Sequence, residues 1–141
     1  MNKRLRAGKS SELIVAGELI RHGLDVYVPC VDDQAIDLVM RVEQPKGVQY
    51  YDVQIKSVKG HNLIIGVKAP KHRGSRFILI VHYRHDDKAD EFFYLDRKQV
   101  ERHHKKESEW KDLVLHKEDR ERYAAQTLAD LVRRVKESDL S

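Results

Sequence analysis

The sequence is poor in cysteine, proline and tryptophan, and it has no long apolar run. One cysteine, three prolines and one tryptophan occur in 141 residues. A single thiol, Cys30, excludes an intramolecular disulfide and any cysteine-rich zinc site. No run approaches the roughly 20 apolar residues that a membrane-spanning helix needs. The basic amino terminus is not followed by the apolar core of a signal peptide. Glu12, Glu18, Arg21 and His22 interrupt the nearest candidate. The expectation is a reduced, cytoplasmic protein without membrane contact. The seven glycines form no phosphate-cradling loop, and the histidines show no zinc spacing with acids or cysteines.

What is present is charge. Charged residues make up 35% of the chain, and the formal net charge is +4. The pI is near 9.1 and the mean hydropathy is −0.65. Leu, Ile and Val still cluster in runs, which argues against disorder. The length fits one domain, 1–141, with a motif core over about 8–95 and a helical extension over about 96–138. Two segments are basic and free of acids. One is an amino-terminal arm with Lys3, Arg4, Arg6 and Lys9; the other is a loop with Lys68, Lys71, Arg73 and Arg76. Either could grip phosphates or be a solvated surface.

Periodicity supplies the elements. Ser10 and Ser11 can cap a helix that runs to about Arg21, with Gly23 as its stop. Short strands follow at 24–29, 35–42, 48–58 and 63–67. Residues 59–76 show no helical period and read as a hairpin strand and a basic loop. FILIVHY (77–83) is apolar on both alternating faces and belongs inside the sheet. EFFYL (91–95) is a further strand, and Asp96 with Gln99 reads as a capping box. Residues 101–112 read as surface loop or frayed helix. One last helix starts near Glu118, with Ala124, Leu128, Leu131 and Val135 on one stripe. The fold class is α/β, a mixed central sheet flanked by helices.

Polar residues interrupt these apolar faces at a few points. On a helical wheel Glu12 falls in the middle of the apolar face formed by Leu13, Val15, Ala16, Leu19 and Ile20. Asp37 interrupts a strand, where aspartate is disfavoured. Gln54 and Lys56 share one face of the next strand. Singly these are a helix-start carboxylate, a strand-end aspartate and a half-exposed strand. Together, two carboxylates and an amide oxygen are hard ligands suited to Mg²⁺. A lysine beside them can orient a water or stabilise a phosphate. His82, at a strand end, reads as a core-edge hydrogen-bonding group.

The stretches GKSSELIVAGELIRHGLDVYVP, DDQAIDLVM and YYDVQIKSV resemble the PD-(D/E)XK nuclease superfamily over roughly residues 8–58. The likeness is to its archaeal Holliday-junction-resolvase-like and homing-endonuclease-like branch. The resemblance implies a restriction-endonuclease-like fold and a Mg²⁺- or Mn²⁺-dependent DNA endonuclease acting on branched, repair or recombination DNA as a homodimer. It assigns catalytic roles to Glu12, Asp37, Gln54 and Lys56 and metal ligation to Asp37, Gln54, Ile55 and Glu12. Gln54 stands where most members carry an acid, as glutamine does in some homing endonucleases of the superfamily. The loss of one charge implies weaker metal binding, or reliance on Asp37 and the Ile55 main-chain carbonyl. The alternative is an inactive nucleic-acid-binding module on the same fold.

Overall fold

A computed structural model describes residues 1–30, 36–60, 64–67, 76–103 and 112–140. Helix α1 spans Lys3–Arg21. Its start is seven or eight residues before the serines expected to cap it, because Asn2 takes that role. The Asn2 side chain accepts from the Leu5 N–H at 2.9 Å. Lys3, Arg4, Arg6 and Lys9 therefore lie in the first turns of a helix and not in an extended arm. At the other end the chain stops as expected. Gly23 has φ +92, and its N–H bonds the Ile20 carbonyl while the Leu24 N–H bonds that of Leu19. This double closure needs a left-handed residue, which glycine supplies without strain.

Strands β1 (Asp25–Tyr27), β2 (Leu38–Gln44), β3 (Gly47–Lys59), β5 (Phe77–Arg84) and β6 (Glu91–Asp96) form one sheet in the order β1-β2-β3-β5-β6. Only β3 and β5 run parallel; the other neighbours are antiparallel. Strand β5 is buried at seven of its eight positions, as its apolar run predicts. β4 (Ile64–Gly66) is not a hairpin partner of β3. It pairs instead with β7 (Asp112–Val114), a strand placed at the end of the segment read as loop. Three residues are too few to show a period, so β7 is invisible without its partner.

α2 (Arg97–His103) opens on the expected box. Gln99 N–H bonds the Asp96 carboxylate at 2.9 Å, and the Gln99 side chain accepts from Asp96 N–H at 3.0 Å. The single last helix is in fact two, α3 (Lys117–Tyr123) and α4 (Leu128–Lys136). Thr127 caps α4 by accepting from Asp130 N–H at 3.1 Å. Gln126 docks on the edge strand: its carbonyl takes the Tyr94 N–H, and its amide donates to the Tyr94 carbonyl. This covers backbone that an edge strand would otherwise leave open. The break puts Tyr123 in the core in place of Ala124, which is exposed.

Two cores sandwich the sheet. On one face Val15 and Leu19 of α1, and Leu131 and Val135 of α4, pack on Met40, Val53, Ile55, Ile80 and Tyr94. On the other, Val100, Leu113 and Tyr123 pack on Leu79, Val81, Phe93 and Leu95. The second core covers only the β5–β6 half. Over β1, β2 and the start of β3 the same face is open, with Tyr27 and Tyr50 more than half exposed. No helix among the described residues is long and apolar enough to cross a membrane.

Candidate functional site

The side chains at issue stand where the covered and open halves of that face meet. In the β3–β5 register Gln54 lies beside Leu79, and Lys56 beside Val81. Paired residues point to the same side of a sheet, so both face the second core. The residues between and around them, Val53 and Ile55, face the first core. Gln54 is 3% exposed, and Lys56 is half-buried. An amide buried this deeply must be hydrogen-bonded to be tolerated, and Gln54 does have a partner within the molecule.

Asp37 directly precedes β2 and is not within a strand, as the sequence had suggested. Its N–H bonds the Val53 carbonyl at 2.8 Å. Its carboxylate Oδ2 accepts the Ile55 N–H at 2.7 Å. The side chain thus takes over from the β2 backbone where the ladder ends, and Asp37 is pinned to β3 from both sides. Asp37 is thereby bonded to Val53 and Ile55, the residues on either side of Gln54. Gln54 and Lys56 share one face of β3.

Glu12 comes from elsewhere. The buried stripe of α1 is Ser11, Val15 and Leu19. Glu12 flanks that stripe and is not at its centre; its side chain is 27% exposed and pairs with Lys9 at 2.8 Å. Leu13 and Ile20, expected on the apolar face, are exposed. The wheel was centred one residue too far along because Ser11, a polar residue, occupies the buried line. α1 packs on the sheet face opposite Gln54 and Lys56. Ile55 contributes only main-chain atoms to the candidate site, its side chain being part of the first core.

Why Ser11 is buried was not readable from sequence. Its hydroxyl donates to the Ala7 carbonyl at 3.0 Å and bonds His82 Nδ1 at 2.7 Å. His82 Nε2 lies 2.7 Å from the Asp90 carboxylate. The Asp90 carboxyl is held below its usual range, first by the His85 backbone N–H and then by the His82 side chain. This Ser–His–Asp chain fastens α1 to β5 and to the turn before β6. Ser11 and His82 are 1% and 3% exposed, so no substrate reaches the hydroxyl and its role is structural. The expected core-edge role of His82 is what is found.

The basic residues divide. Lys3, Arg4, Arg6 and Lys9 are exposed on the opening turns of α1, which carry no acid in the first turn. Arg76 is exposed just before β5, and its carbonyl accepts the Asp52 N–H at 2.9 Å. Lys68, Lys71 and Arg73 lie outside the described residues. Among the described residues no three or more His, Cys, Asp or Glu side chains cluster as a metal site. The donors on offer at Asp37 and Gln54 are one carboxylate, one amide and backbone carbonyls. They are all hard oxygens and few in number, which fits an ion that keeps most of its waters.

The fold is similar to that of a solved bacterial homing endonuclease, I-Ssp6803I. The likeness covers 82% of this chain and 80% of that one, with a TM-score of 0.55 and 14% sequence identity. At that identity it speaks for the fold alone. No family model and no curated protein matches the chain.

Proposed function

We propose that this chain is a metal-dependent DNA endonuclease of the PD-(D/E)XK type in which Gln54 replaces the usual acid. The observation that carries the reading is the grouping on β3: Asp37 bonded to Val53 and Ile55 on either side of Gln54, with Lys56 on the Gln54 face, at the border of an open sheet surface. The similarity of the fold to a homing endonuclease supports it.

In this reading Asp37, the Gln54 amide oxygen and the Ile55 carbonyl would hold Mg²⁺ or Mn²⁺; Glu12, on the helix that packs on the opposite sheet face, is left out of the ligand set. The ion, when bound, supplies Lewis-acid stabilisation and a more acidic water. Asp37 brings the fixed negative charge, held in place by the Ile55 N–H. Gln54 orients a dipole without adding charge, so metal binding is weaker than with glutamate. Lys56 positions the attacking water and neutralises charge that builds on the phosphate. The opening turns of α1 add four cations to the positive end of a helix dipole. Cations there cost helix stability, so their place is better accounted for by an anionic partner. Phosphate contacts from them and from Arg76 make binding fall with salt. A homodimer acting on branched or recombination DNA completes the proposal.

The test is nicking and junction cleavage with Mg²⁺ or Mn²⁺. Wild type cuts. Lys56→Ala and Asp37→Asn each lose about 100-fold or more while melting with the wild type. Asparagine is the right change at 37, because alanine would also orphan the Ile55 N–H at about 1–3 kcal/mol. Equal cutting by both variants removes the site assignment. A second reading rests on the buried amide at Gln54: an inactive module that binds DNA without metal. Salt-sensitive binding with no cleavage of any substrate selects it.

A further inference from the structure

A second cavity opens where the parallel strands β3 and β5 end. Its volume is about 470 Å³, within the range of small-ligand sites. Gly60, His85, Lys88, Phe92, Lys117 and Arg120 are among its walls. Gly60 is required there: a Cβ would come within 2.3 Å of the His85 ring, which lies against the bare backbone. Arg120 of α3 donates to the Gly60 carbonyl and sits 5.0 Å over the Tyr83 ring.

One wall donor is unmet: the Arg120 Nε–H is buried without a hydrogen-bond partner among the described residues. A guanidinium N–H can only donate, and leaving it unmet is costly. Of the two acids on the walls, Glu91 is engaged by His85 at 2.8 Å and by Lys88 at 3.7 Å, and Glu121 lies on α3 beside Arg120. Arg120 and Lys117 meet the cavity with no salt bridge to a carboxylate among the described residues. Phe92 and Phe93 give it an apolar side. A site with a donor-only guanidinium, ammonium groups and an aromatic wall matches a phosphate group carried on an organic body.

We propose that this cavity binds a phosphate group, with the Arg120 guanidinium and Lys117 as its principal donors. Gly60 lies four residues beyond Lys56, about 13 Å along the strand. The phosphate could therefore belong to a nucleic-acid strand or to a free ligand, and the chemistry of recognition is the same. The proposal does not rest on the nuclease reading.

The experiment is titration of the ¹⁵N-labelled full chain, following the Arg120 Nε–H and Gly60 N–H signals. Three probes are added in separate arms: inorganic phosphate, a 5′-mononucleotide and a short DNA duplex. Saturable movement with phosphate or mononucleotide supports a free ligand; movement with the duplex alone supports a strand phosphate. Arg120→Lys keeps the charge but loses the Nε–H, and it weakens binding about tenfold. Lys117→Ala, at an exposed position, weakens it about twofold to fivefold without threatening the fold. No movement in any arm, or full affinity in both Arg120→Lys and Lys117→Ala, overturns the proposal.

Discussion

One face of the central sheet has two unlike halves. Over β5 and β6, Leu79, Val81 and Leu95 are completely covered. Over β1, β2 and the start of β3, Tyr27 is 55% and Tyr50 56% exposed. The covered half repays apolar side chains and punishes charge. The open half constrains neither. Gln54 and Lys56 stand between the two: Gln54, 3% exposed, is held in fixed geometry, and Lys56, half-buried, reaches the surface. A residue in the covered half could not meet a substrate. A residue in the open half would have nothing to hold it still.

The sharpest way to break this comparison is Gln54→Glu. Position 54 is 3% exposed beside Leu79, so a carboxylate there is buried, with Asp37 bonded to the residues on either side of it. Without metal the variant loses several kcal/mol, or protonates its new acid to avoid that loss. If the face is a metal site, Mg²⁺ restores stability to the variant more than to wild type, because the ion binds only the folded chain. Melting temperatures with and without Mg²⁺ measure this. A variant destabilised equally in both conditions argues for the inactive-module reading.

The next test compares the halves directly. Leu79→Ala, in the covered half over β5, costs about 2–5 kcal/mol in urea unfolding. Tyr50→Ala, on the open half, stays within about 0.5 kcal/mol. A large loss at Tyr50 would mean that the open half is covered in solution, as a homodimer could do.

The same contrast explains what could be read from sequence. Strong periods were legible: the doubly buried run of β5, the stripe of α4 and the common face of Gln54 and Lys56. The Asp96–Gln99 box was legible because its chemistry is local. Long-range polar contacts were not. Ser11 looks like a helix cap, yet it spends its hydroxyl on His82, 71 residues away. That substitution of a polar residue into the buried line displaced Glu12 on the wheel. Gln126 breaks the last helix to reach Tyr94, and no local pattern announces it. Of the candidate site, the sequence pattern carried the Gln54–Lys56 pair. The pinning of Asp37 to the Ile55 N–H became visible only in three dimensions.

A smaller effect concerns the first core, on the opposite sheet face, at Tyr94. Its hydroxyl donates to Asp130 at 2.7 Å and accepts from Arg134 at 3.0 Å. Burial, and then the bond to Asp130, push the phenol up to about 12 from its ordinary 10.0. The unfolded chain releases this proton near 10 and the folded chain does not. The stabilisation is thus complete below pH 10 and is lost as pH rises from about 10 to about 12. Tyr94→Phe removes the titrating group along with both hydrogen bonds. The variant is less stable than wild type by about 1 kcal/mol near neutral pH, and the gap narrows across that alkaline window. Urea midpoints at about pH 8 and about pH 11 measure the narrowing. A gap that stays constant would mean that Tyr94 titrates as it does in water, and that this end of the first core is wetter than its packing implies.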